Sequence, residues 1–446
     1  HARRMQWTDG AETVTYGPFR YSDPRRGPMS FSSSPSSSAL AYRHRIPVGS
    51  LPAWLVILLG LVTAIGPLAT DMYLPAFPAL DSELGGGPGS AQITLAAWFA
   101  GLAIGQFSQG PLSDRLGRRV PLLGGLTLFS IASAGCALST DYHMFCVWRF
   151  LGALGGSASV VVPRAIVRDI ATGAQGARIM AQLTLVFGLM PILAPSLGSL
   201  VLSVGHWRWI FWFGTLYGMA GVIAIAWTLP DTLPRERRIA LSASTVLWRY
   251  VGIAREPMFL SAALLLGFSA FVMFAYLASA PILFEQILSF TPQQFGLFFG
   301  MNAALFIAGA QINGRLVHRV APHVLMQRGV VAITLSAGLF LTLSVAGLAG
   351  PRHPLLVCAM VGLVTGSLGF VNPNATVLAF TRHGHHAGSA SALLGTLQFT
   401  IGSLSGVLLG YLPLTSAVPV AATMAGGVAG MMGCMLWHRR HAAAEI

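Results

Sequence analysis

Two ionisable side chains stand inside long apolar stretches, and the chemistry open to them is proton transfer. Asp71 follows roughly 18 almost unbroken hydrophobic residues. An ionised carboxylate facing lipid at mid-membrane would cost about 2.5–3.5 kcal/mol or more. Asp71 is therefore expected to face a cavity, where a carboxylate can take a proton from one side and release it when the cavity wets or a cationic molecule arrives. A hydrated position near the membrane surface is the competing reading of so late a residue. Arg149 lies in Trp148-Arg149-Phe-Leu-Gly152-Ala-Leu-Gly155-Gly156. Its guanidinium stays charged and would stabilise the deprotonated form of a carboxylate beside it; snorkelling to the interface is the alternative.

A second cluster, Gly110-Pro-Leu-Ser-Asp114-Arg115-Leu-Gly117-Arg118-Arg119, is squeezed between two apolar runs. A turn this tight needs Gly117 for backbone freedom. Asp114 and the arginines can tie helix ends together by charge-assisted hydrogen bonds that a rocking motion makes and breaks. Plain positive-inside anchoring would use the same residue types. Polar residues within apolar runs are candidates to line a substrate cavity: Gln106, Tyr276, Asn302, Asn372, Asn374 and Gln398, with Trp98, Phe99, Phe187, Phe271 and Phe274 as apolar contacts for flat molecules. Each of the amides has interhelical hydrogen bonding as its ordinary alternative.

Other chemistries find little support. His383, His385 and His386 cluster without a carboxylate or cysteine, so no metal site is expected. Cys136, Cys146, Cys358 and Cys434 have no metal or redox spacing. All 27 basic residues are Arg, and without Lys a phosphate-binding loop of the usual Gly-x-x-x-x-Gly-Lys type is excluded. No nucleophile and base are arranged as in an enzyme, and no cofactor is expected.

The elements that must position these residues follow from composition. Of 446 residues, 54% are hydrophobic and 9% charged, too few charges to cover a water-facing surface. Apolar runs at roughly 53–76, 91–112, 120–139, 143–166, 179–203, 208–229, 257–281, 294–312, 325–348, 355–379, 388–412 and 416–437 have the length of membrane-crossing helices. The prediction is an all-α membrane protein of twelve spans in a lipid bilayer. The net charge of +13 is scattered in short clusters between runs, which argues for membrane topology and against nucleic acid.

Connections after even-numbered spans carry most of the arginines, so both termini and the long linker are expected in the cytoplasm. Trp207, Trp209 and Trp212 read as an interfacial belt. The predicted organisation is a disordered tail over 1–50, a six-helix bundle over 51–229, a charged linker over 230–256, a second bundle over 257–437, and a tail over 438–446. Met29 opens a compact leader to the first apolar run, so residues 1–28 are open to being upstream of the native coding sequence.

The Gly110–Arg119 segment resembles the signature between the second and third helices of the major facilitator superfamily, and Gly314-Arg315-Leu-Val-His-Arg319 resembles its degenerate copy in the second half. The resemblance implies twelve helices in two pseudo-symmetric six-helix bundles. Thr70-Asp71-Met72-Tyr73-Leu74-Pro75, Arg164-Ala-Ile-Val-Arg168-Asp169 and Gly388-Ser-Ala-Ser-Ala-Leu-Leu-Gly395 resemble the bicyclomycin-resistance (Bcr/CflA) branch of drug:proton antiporters. Gly188-Leu-Met-Pro191-Ile-Leu-Ala-Pro195-Ser-Leu-Gly198 is similar to the antiporter motif, with Ala194 in place of the consensus glycine.

What the branch implies is export of small amphipathic drugs across the bacterial inner membrane by alternating access, driven by inward protons. It also implies a role for Arg149 in proton exchange, and the protein is expected as a monomer. A transporter of one metabolite class, and more remotely a non-transporting sensor, are the alternatives on the same fold.

Overall fold

In hydrocarbon no water meets the backbone, so each apolar run must satisfy its own N–H and C=O groups, and a helix is the local way to do so. The computed structural model describes residues 53–87, 89–171, 173–238, 243–381 and 387–443. Among them are twelve helices of 19 residues or more: α1 (Ala53–Asp71), α2 (Ser90–Leu116), α3 (Arg119–Leu138), α4 (Tyr142–Ile170), α5 (Gly173–Val204), α6 (Arg208–Thr228), α7 (Pro257–Pro281), α8 (Pro292–Leu316), α9 (Pro322–Val345), α10 (Pro354–Phe380), α11 (Ala387–Tyr411) and α12 (Val418–Ala443). Each predicted span coincides with one of them. Ten segments of the described chain are long and apolar enough to cross a membrane. The other two long helices are α2 and α5, and both lie where the halves of the molecule meet.

Helix starts are fixed by local chemistry. Proline opens α7, α8, α9 and α10, where its missing N–H costs nothing. Asp81 gathers the N-terminus of α2, accepting from Ser90 Oγ (2.6 Å), Ala91 N (2.8 Å) and Gly89 N (3.3 Å). Thr291 and Gln294 form a capping box on α8.

The packing repeats with a period of six helices. In the first half α1 packs on α4, α5 and α6, α2 on α4, α3 on α4 and α6. In the second half α7 packs on α10, α11 and α12, α8 on α10, α9 on α10 and α12. The halves meet through α2 against α11 and α5 against α8, and these two contacts exchange under the same six-helix shift. Two pseudo-symmetric six-helix bundles result, as predicted. Backbones approach closely at small residues: a Cβ on Gly101 of α2 would fall 2.3 Å from the Phe150 carbonyl, and one on Gly309 of α8 2.4 Å from that of Gly366.

Two expectations need correction. Trp207 is no belt residue: it is buried, and its Nε1 donates to Glu83 at 3.0 Å, beside the Arg208–Glu83 ion pair, also 3.0 Å. Trp209 and Trp212 are exposed as expected. Within the linker the chain forms a further helix, Ala243–Ala254. Its buried Val246, Tyr250 and Ile253 recur at helical spacing. Val246 and Tyr250 pack on Phe107 of α2 and on Ala392 and Leu393 of α11, so this helix touches both halves.

Candidate functional site

α1 stops at Asp71, and the chain turns through Met72 and Tyr73 before the short helices Leu74–Ala76 and Phe77–Glu83. Pro75 and Pro78, at the openings of the two short helices, cannot extend α1. Asp71 is thus held at a helix end, 3% exposed, with no hydrogen bond or ion pair among the described residues. Gly198 of α5 fits against this turn so tightly that a Cβ there would fall 1.9 Å from the Met72 carbonyl oxygen. Pro195 is buried on the same helix. Gly188 and Pro191 also lie on α5, but their side chains fall outside the description.

Asp71 faces a cavity between the halves with an empty volume of about 1580 Å³, its open side included. Of the predicted lining residues, Gln106, Tyr276, Asn302, Asn372 and Gln398 are on its wall. Asn374 is not: its Nδ2 donates to Asn313 Oδ1 (2.6 Å) and to the Phe370 carbonyl (2.7 Å), binding α10 to α8 inside the second bundle. Asn372 and Asn374 sit two residues apart on α10, so they point to different faces of the helix. Tyr276 and Asn302 are buried side by side on this wall, their polar ends close to one another.

Aromatic rings supply the apolar surface. Phe99 of α2 stacks on Phe274 of α7 with centroids 3.7 Å apart and planes 9° from parallel, and Phe399 of α11 lies 5.8 Å from Phe274. The stack spans the two halves. Tyr276 stacks on Phe299 at 5.3 Å.

Arg149 lies elsewhere. It is 2% exposed, in a small pocket of the first bundle, with its guanidinium 4.1 Å from the Tyr73 ring and 4.3 Å from the Trp98 ring. Desolvated cation–π contacts of this kind are worth about 2 kcal/mol. Its Nη1 donates at 3.0 Å to the carbonyl of Ala69, in the last turn of α1. That carbonyl has no helical N–H ahead of it, so a fixed cation caps the helix end that carries Asp71. Among the described residues no ion pair joins Arg149 to Asp71. The link between Arg149 and the end of α1 is a backbone contact two residues before Asp71.

The Gly110–Arg119 segment is centred on Arg118. Its Nη1 donates to Asp114 Oδ1 (2.6 Å) and Ser113 Oγ (2.9 Å), and its Nε to Asp169 Oδ2 (2.8 Å) at the end of α4. Its backbone N–H donates to Asp231 Oδ1 (2.9 Å), whose other oxygen accepts from Arg238 (2.7 Å). Arg119 donates to the carbonyl of Ala226 on α6. Gly117 adopts φ +90°, and a Cβ there would fall 2.0 Å from Asp231 Oδ2, so both conformation and space require glycine. Arg115 is exposed and makes none of these contacts, and Gly110 has open space around it.

The model of the Major Facilitator Superfamily matches residues 59–407, which takes in all of α2 to α10, most of α1 and α11, and the Arg118 network. The chain belongs to that superfamily. It is a multi-span membrane transporter. The uncharacterized MFS-type transporter YdgK of Bacillus subtilis (strain 168) is 35% identical over 85% of this chain and 93% of its own length. A bicyclomycin resistance protein homolog of Haemophilus influenzae is 28% identical over 83% and 92%. Among solved structures, the D-xylose-proton symporter is similar in fold, with a TM-score of 0.65 at 15% identity over 85% of this chain and 96% of that one.

Several residues at the cavity and in the Arg118 network escape sequence reading. Asp231 acts on Arg118 from 113 positions away, and only its place in a charged linker set it apart. Phe399 completes the ring stack but looks like any apolar residue of α11. Arg164 lines the cavity; the Arg164–Asp169 motif singles the residue out, but nothing in the sequence marks it as facing a cavity six residues before the end of α4.

Proposed function

We propose that this transporter exports small amphipathic compounds, antibiotics among them, in exchange for inward protons. It would work by alternating access across the bacterial inner membrane, as a monomer with both termini in the cytoplasm, and with the proton gradient as its energy source. The observation that carries this reading is Asp71: a buried carboxylate without an ion-pair partner, on the wall of a cavity between two pseudo-symmetric bundles. Leaving such a group charged is costly, so proton binding and ligand binding compete there. The cavity suits flat amphipathic molecules, since most of its surface is aromatic and aliphatic with a few amides. The similarity to a protein named for bicyclomycin resistance supports the drug-export branch.

In this reading Arg149 fixes the turn that presents Asp71, and the Arg118 network braces the first bundle as it rocks. The test is transport into proteoliposomes under an imposed pH gradient, with ethidium as probe. Gradient-driven accumulation by the parent that is lost in Asp71→Asn supports the proposal. Equal accumulation by both removes Asp71 from coupling, and none by the parent for any of a panel of amphipathic antimicrobials turns the reading toward a single-metabolite transporter.

A further inference from the structure

The cavity has two charged poles. Among the described residues its charged lining is Asp71, at the end of α1, and Arg164, on α4 six residues before Ile170. Gly66 of α1 lies against Val160 of the antiparallel α4, and at about 1.5 Å per residue Asp71 and Arg164 then differ in depth by roughly 13 Å along the helices. Phe99, Phe274, Phe399, Gln106 and Gln398 line the wall as well.

Arg164 is accessible through the cavity rather than packed away. Among the described residues it has no ion pair and no hydrogen bond. The nearby charges do not neutralise it: Arg168 has the same sign one turn on, and the carboxylate of Asp169 is taken by Arg118 at 2.8 Å. A guanidinium held at a cavity wall without a counter-charge is a ready site for a carboxylate, which it can meet with two parallel N–H donors.

We propose that Arg164 is an anion-recognition residue of the substrate cavity, and that the cavity takes aromatic carboxylates whose ring lies along the phenylalanine stack and whose acid group meets Arg164. The inference rests on the exporter reading above and adds a substrate class to it. Zwitterions of sufficient length fit best, with their cationic end toward Asp71.

The test is binding of naphthoate and of its neutral amide to the purified transporter by titration calorimetry, in the parent, Arg164→Gln and Arg164→Lys. A charge-assisted contact predicts that the parent prefers the acid by about tenfold or more. The preference disappears in Arg164→Gln, is largely kept in Arg164→Lys, and amide affinity stays the same throughout. Equal affinity for acid and amide in the parent overturns the proposal, as does a preference that survives Arg164→Gln. Weakening of both ligands alike in that variant makes Arg164 a structural residue, which also overturns it. If neither ligand binds the parent while ethidium transport persists, the exporter reading stands and the aromatic carboxylate class falls.

Discussion

Gly198 and Asp71 show how much of the site depends on single atoms. The turn after Asp71 is pressed against α5 where a hydrogen replaces a side chain, and Gly198→Ala would push a methyl into the Met72 carbonyl. Such overpacking costs about 2 kcal/mol. The expected result is a lower melting temperature in detergent, together with impaired proton coupling because the displaced turn is the one carrying Asp71. At the other end, Asp169 is the more enclosed partner of Arg118, with side-chain exposure of 18% against 50% for Asp114. Asp169→Asn is therefore expected to lower stability and turnover more than Asp114→Asn, with substrate affinity little changed in both. Thermal unfolding and transport assays on the two variants check the order, and the reverse order would place the brace on Asp114. Arg118 was legible as one of several arginines in a motif, but its role as the hub was not, because two of its partners, Asp169 and Asp231, come from distant sequence.

At the scale of elements, hydrophobic length gave nearly every helix to within a few residues, since only a helix can carry such runs through hydrocarbon. The helices overrun their apolar windows where polar ends are buried by neighbours, as α2 does through Ser113. The linker helix Ala243–Ala254 escaped notice because its apolar face is short and its flanks are charged. Tyr250 is its anchor, donating from Oη to the Phe107 carbonyl at 3.2 Å, and burial, with the charge of Asp114 adding to it, pushes the phenol up to about 12. The neutral phenol is the docked form, so its contribution is whole below the ordinary value near 10 and is lost as pH rises through about 12. Hydrogen exchange over residues 243–254 should quicken across that window in the parent. In Tyr250→Phe the exchange should be faster at neutral pH and lack this pH step. Gly117→Ala belongs to the same scale: at φ +90° a side chain is strained by about 1–3 kcal/mol before its clash with Asp231 is counted. The α2–α3 turn should loosen, visible as proteolysis between the two helices.

For the whole molecule, the repeat of contacts under a six-helix shift puts a cavity at the interface of the halves, and the family places the chain among transporters. Composition and motif order made that architecture readable, because membrane insertion constrains every span in the same way. The contents of the cavity were less readable. Asn372 faces it while Asn374, two residues on, ties α8 to α10, and no spacing rule separates the two. Arg149 meets the Ala69 carbonyl at the end of α1 rather than the carboxylate of Asp71, a contact that depends on the turn after α1. The central claim is that Asp71 exchanges a proton for substrate. Drug-induced proton release from the purified protein, read with a pH indicator in weak buffer, tests it most directly. The account predicts release from the parent on adding amphipathic antimicrobials and none from Asp71→Asn, whereas release that persists undiminished in Asp71→Asn would contradict it.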